Sequence, residues 1–142
     1  MQYIKKLKPL CCFLIVSVLL QGCQSPLVAY RYPRGQANSV WSTDDGAVAF
    51  SVGAEESDPV YGMIKTDDGS VEIETSMGPF TTFVYFYYKE DRINSHNDYE
   101  AKAFAEGHGK IISRKEYHVE ITYAEAYFEV GQILTFYRQN AD

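Results

Sequence analysis

From Ser39 onward, apolar and polar residues trade places along the chain with a period of two, and short polar blocks rich in Asp, Gly and Ser interrupt the rhythm. Val48, Phe50 and Val52 alternate with Ala47, Ala49 and Ser51. Val71 and Ile73 alternate with Glu72 and Glu74, and Tyr117, Val119, Ile121 and Tyr123 with His118, Glu120 and Thr122. A pleated strand sends successive side chains to opposite faces, so each of these segments has one buried and one wet face. Tyr and β-branched residues, which suit a half-buried pleated surface, are abundant. Seven or eight such strands predict an all-β domain, a small antiparallel up-and-down barrel or sandwich.

The richest strand is Phe80 to Tyr88, "FTTFVYFYY". Its even set, Phe80, Thr82, Val84, Phe86 and Tyr88, is the more apolar and is placed inward. Its odd set, with Phe83, Tyr85 and Tyr87, then faces water or a partner and is the candidate ligand or partner surface. Helix signals are thin. "YEAKAFAEG", Tyr99 to Gly107, has helix-friendly Ala and Glu but no clear cap, and it is read as strand, or as irregular chain running into a strand over Lys110 to Ser113. "SRKE", Ser113 to Glu116, is the turn into the next strand.

Two acidic blocks, Thr43-Asp44-Asp45-Gly46 and Thr66-Asp67-Asp68-Gly69, each precede an alternating run. A helix-flanked calcium loop needs ligands at alternate positions over about twelve residues and a closing glutamate, a spacing neither block has. Asp-Gly between alternating runs is a hairpin signal, because glycine supplies the positive φ of the turn. Both blocks are therefore read as turns. "GAEESDP", Gly53 to Pro59, is read as a solvated loop between strands, with the rim of a binding mouth as its functional alternative. His96, His108 and His118 do not converge as zinc would require, because the register expected for the last hairpin puts His108 near Ile121 rather than His118. Gly107 and Gly109, either side of His108, mark a bulge. No nucleophile elbow, phosphate loop or dinucleotide fingerprint is present. The expectation is no catalytic residue, no cofactor and no metal, with an enzyme using loop carboxylates as the remaining enzymatic reading.

The first residues follow a different logic. Lys5, Lys6 and Lys8 precede an eleven-residue apolar run, Leu10 to Leu20, about half of what a helix needs to cross a bilayer. That layout is a secretory signal. The following "LQGC", Leu20 to Cys23, resembles the lipobox of bacterial lipoproteins, with Gln21 in the tolerant position. The resemblance implies a thioether-linked diacylglyceryl group on Cys23, cleavage before it and a stable two-chain or three-chain anchor. The domains expected are a helical signal peptide over 1–22, the lipidated cysteine and a Pro/Gly-containing tether over 23–38, and the β-barrel over 39–142. Cys11 and Cys12 leave with the signal, so the mature domain has neither disulfide nor thiolate metal site and relies on apolar burial. Losing the three lysines takes the formal charge from −6 to −9. Such a surface repels phosphate backbones, so nucleic acid is not an expected partner.

Trp41 to Phe50, "WSTDDGAVAF", resembles an opening that recurs in small, uncharacterised lipoproteins of Gram-positive bacteria, where Gly46 is usually proline. Gly109 to Gln139 looks like their closing hairpin and last strand. What this resemblance implies is a lipocalin-like β-barrel of unknown function. The reading is a cell-envelope protein held on the extracytoplasmic face of the membrane by lipid on Cys23, acting as a binding or interaction module for an envelope protein. Its alternatives are a lysozyme-inhibitor-like protein, although those usually carry a disulfide, and a carrier of a small apolar ligand in an aromatic-lined pocket, suggested by 12 Tyr and 8 Phe. Cys23→Ser is expected to move the protein from the membrane fraction to the soluble one. A variant that remains membrane-bound and unprocessed would overturn the lipobox reading.

Overall fold

The computed structural model describes residues 33–77, 82–95 and 101–139. Cys23, Phe80 and His96 lie outside the described residues. Eight strands follow in chain order: β1 (Val40–Thr43), β2 (Val48–Ser51), β3 (Val60–Thr66), β4 (Gly69–Met77), β5 (Phe83–Tyr88), β6 (Ala105–Ser113), β7 (Glu116–Ala124) and β8 (Ile133–Gln139). Each pairs antiparallel with its successor, and β8 returns to β1 through Trp41↔Arg138 and Thr43↔Phe136. The sheet is thus a closed up-and-down barrel of the lipocalin-like kind, and closure removes the exposed edges an open sandwich would keep.

Period two decides which residues fill it. Val48 and Phe50 of β2, Val84 and Phe86 of β5, and Tyr117, Val119 and Ile121 of β7 are all buried, as their alternation predicts. Two aromatic clusters occupy the interior. At the end where β1 begins, Trp41 stacks on Phe50 at 6.3 Å and meets Tyr117 edge-on at 6.5 Å, while Phe136 lies 5.0 Å from Phe50. At the opposite end Phe86, Tyr88 and Phe104 gather with Phe128, the Tyr88 and Phe104 rings 4.7 Å apart. Fully burying side chains of this size contributes roughly 1.5–3 kcal/mol each, which is how a domain without disulfides holds together.

The two glycines of β6 have separate causes. The register between β6 and β7 shifts between Glu106 and Gly107, the bulge expected there. Gly109 instead gives room: a Cβ on it would stand 1.8 Å from the Tyr117 hydroxyl. With Gly107 and Gly109 turned inward, His108 between them projects from the outer wall.

Both acidic blocks are turns, but not the same turn. In the second copy Thr66 pairs directly with Gly69 (φ 143°), leaving a two-residue loop. In the first, pairing stops at Ser42↔Ala49 and a longer loop forms. There the Asp45 carboxylate accepts from the Thr43 hydroxyl (2.6 Å) and the Ala47 N–H (2.9 Å), with Gly46 at φ 65°.

Two elements differ from the sequence reading. Residues 33–38, expected as the end of the tether, pack on the barrel: Pro33 is buried in a 3-10 turn (Pro33–Gly35), and the Arg34 guanidinium donates to the carbonyls of Glu56 and Met77. The Trp41 indole N–H also reaches back, to the Ser39 hydroxyl at 2.9 Å. A short helix, α1 (Lys89–Asn94), follows β5 where none was expected. β6 starts at Ala105, inside the Tyr99–Gly107 stretch read as strand and ahead of the Lys110 start of the alternative reading, because Phe104 and Ala105 are already buried against the core. Gly109→Ala is expected to lower the unfolding free energy by about 1–3 kcal/mol, the usual overpacking range, in urea titration. His108→Ala, one residue away but outward, should change it by less than about 0.5 kcal/mol.

Candidate functional site

The predicted surface residues Phe83, Tyr85 and Tyr87 all sit on the outer wall of β5, as their odd spacing requires. Their rings form a continuous ribbon: Phe83 lies 6.4 Å from Tyr85, which lies 6.4 Å from Tyr87. Phe83 is 48% exposed, a large share for a phenylalanine, while Tyr85 and Tyr87 are half-buried. The ribbon continues sideways, because His108 stands opposite Phe83 in register and meets it edge-on at 4.9 Å.

One end of the ribbon is clamped by α1. Arg92 places its guanidinium 4.8 Å from the Tyr87 ring centre and its Nε 3.2 Å from Glu74 of β4. Lys89 lies over the Tyr61 ring and pairs with Glu72 at 3.0 Å. Glu90 and Asp91 in the first turn and Arg92 in the last suit the helix dipole. That charge order is the one local signal that pointed to α1, and the sequence reading did not use it.

The other end opens onto a depression of about 460 Å³, bordered by His108, Lys110, Ile112, His118, Glu120 and Ile133. His108 pairs with Glu120, not Ile121, because the register slips by one residue between Ile111 and Ser113, next to the hairpin turn. His108 and His118 therefore border the same hollow, closer company than the sequence register gave them. The His118 ring is bonded through Nε2 to Glu116 at 2.7 Å. Among the described residues no three His, Cys, Asp or Glu side chains are gathered to hold a metal ion.

A second hollow, about 380 Å³, lies at the end of the barrel where the β1–β2 and β7–β8 loops meet. Val48, Ile64 and Leu134 form its floor, Tyr127 and Phe128 one wall, and Asp44, Asp45, Lys65 and Gln132 its rim. Tyr127 has φ 65°, and Phe128 N–H donates to the Ala126 carbonyl across it. A left-handed backbone on a bulky residue costs on the order of 1–3 kcal/mol. Burial first, and then the hydrogen bond to Tyr127, hold the Tyr88 phenol above its ordinary pKa. The Thr43 hydroxyl first, then the Ala47 N–H, hold the Asp45 carboxyl below its ordinary pKa, with Lys65 adding to the effect. Tyr127 and Phe128 were not singled out from sequence. Their signal is a pair of adjacent aromatics that breaks the period of two.

Compared with known proteins, the chain matches no protein-family model, no curated protein and no solved structure. The two neighbouring aspartates of the first turn should separate cleanly. Asp45→Ala is expected to destabilise the fold by about 0.5–1 kcal/mol through two lost hydrogen bonds at an exposed site. Asp44→Ala should stay within about 0.5 kcal/mol of the parent. Because the folded-state pKa of Asp45 is depressed, its contribution is present at neutral pH and disappears as pH falls through that value. Urea midpoints of parent and Asp45→Ala should accordingly converge in acid.

Proposed function

We propose that this protein is a lipid-anchored, extracytoplasmic barrel that binds another envelope protein through the outer aromatic wall of β5 and β6. The observation that carries the reading is the ribbon Phe83–Tyr85–Tyr87 with His108 at its side, exposed on a barrel whose interior is occupied by its own aromatic side chains. Aromatic residues in such clusters are the usual anchors of protein interfaces. Ile112 and Ile133, both exposed, extend the apolar area on the same face.

The packed interior favours this reading over an internal carrier of apolar molecules, since a carrier needs a hollow core of a few hundred Å³. A binding role also suits the carboxylates. Glu72, Glu74, Glu116 and Glu125 are each engaged with a basic or imidazole partner rather than set against a nucleophile. Lipid on Cys23 would hold the ribbon near the membrane surface, where two acyl chains suffice for a lasting anchor.

A photo-crosslinking phenylalanine analogue placed at position 85 of the anchored protein should give a discrete protein adduct in living cells. Phe83→Ser is expected to weaken that adduct by about tenfold, the loss of one anchor aromatic. An absent adduct, or one indifferent to Phe83→Ser, would sink the proposal.

A further inference from the structure

The hollow at the loop end has the size of a small-ligand site, with polar and apolar surface in near-equal shares. Its volume of about 380 Å³ falls within the roughly 300–1,000 Å³ common to such sites, which pair apolar linings with a few placed polar groups. Chemistry at its rim narrows the ligand further. Asp45 is committed to its own turn, bonded to Thr43 and Ala47. Lys65 leans over the same turn, its Nζ 3.5 Å from where a Cβ on Gly46 would stand, and its charge acts on Asp45. Lys65 is thus a single positive charge against the two aspartates of the rim. Asp44 is left exposed on the rim with no hydrogen bond or ion pair among the described residues, so the charge facing the hollow is negative.

The aromatic wall points the same way. Tyr127 is 44% exposed and is held in a left-handed backbone conformation inside a tight turn closed by Phe128. Its ring packs edge-on against Phe104 and Tyr88 and is hydrogen-bonded to Tyr88, so its exposed side is held in place beside the hollow. A cation near an aromatic face is attracted by the ring's quadrupole, and a carboxylate beside the ring strengthens the attraction. The net acidity of the chain adds long-range attraction for a positive ligand.

We infer that this hollow binds an organic ammonium ion bearing a short apolar tail, with the ammonium between Asp44 and Tyr127 and the tail on the Val48–Ile64–Leu134 floor. The inference does not rest on the outer ribbon and survives if that surface proves idle. Three six-carbon probes of equal length test it: hexylammonium, hexanoate and 1-hexanol. Each is titrated by amide NMR into the full chain carrying Cys23→Ser. Hexylammonium should move the Asp44, Tyr127 and Thr135 amides and bind about tenfold more tightly than the other two, the size of a partly desolvated cation–π and carboxylate contact. Asp44→Asn should bring it down to the level of the alcohol. Tyr127→Asn, which tolerates the left-handed backbone, should weaken it several-fold. Equal binding of hexanoate or hexanol, shifts confined to another surface, or indifference to Asp44→Asn would each overturn the assignment.

Discussion

The contact on which the rest of this structure depends is the one between the Tyr117 ring and the bare backbone of Gly109. An eight-stranded barrel is only wide enough inside for side chains to fill. Here one end must hold Trp41, Phe50, Tyr117 and Phe136 together, and it does so because β6 contributes no side chain at Gly109. Gly62 plays a similar part on β3, where a Cβ would meet the Ala49 carbonyl at 2.5 Å. Large rings and absent side chains are two halves of one packing solution.

That solution shapes the outside as well. Between two inward glycines His108 has to point outward, and the register brings it against Phe83. The register slip between Ile111 and Ser113 then carries His108 opposite Glu120, on the side of the barrel where His118 also emerges. With the interior taken up by the core, exposed chemistry is left to the wall and the loop end. Near the loop end Glu125 accepts from both Lys102 and Tyr123, which holds its carboxyl below the ordinary pKa. Asp44, on the rim of the hollow, has no such partner among the described residues.

The all-β class, the barrel alternative and the inward and outward faces of β5 were legible because period two is a local signal that survives whatever the neighbours do. Phe83, Tyr85 and Tyr87 were placed on the correct wall for the same reason. Nonlocal facts were not legible. α1 is six residues long and is tied down by ion pairs to Glu72 and Glu74, 17 and 18 residues away, so its stability does not reside in its own sequence. Packing of Pro33 and Arg34 depends on loops at Glu56 and Met77 that only barrel closure brings near. The loop-end hollow joins Asp44 to Tyr127 across the seam of β1 and β8, a pairing no short window could reveal.

The repeated Thr-Asp-Asp-Gly shows how far local sequence reaches and where it stops. Both copies reverse the chain, and in both a glycine with positive φ makes the reversal possible. In the second copy the strands zip to Thr66↔Gly69, and the aspartates face solvent at a bare hairpin tip. In the first, the Thr43 hydroxyl bonds both the Val48 N–H and Asp45, so the ladder ends early and a wider loop results. The wider loop carries Asp44 to the rim of the hollow beneath Tyr127, a position the tight hairpin does not share. Identical residues thus meet one folding requirement in two geometries, and it is the geometry, set by what packs around the loop, that leaves one copy facing a binding-sized space.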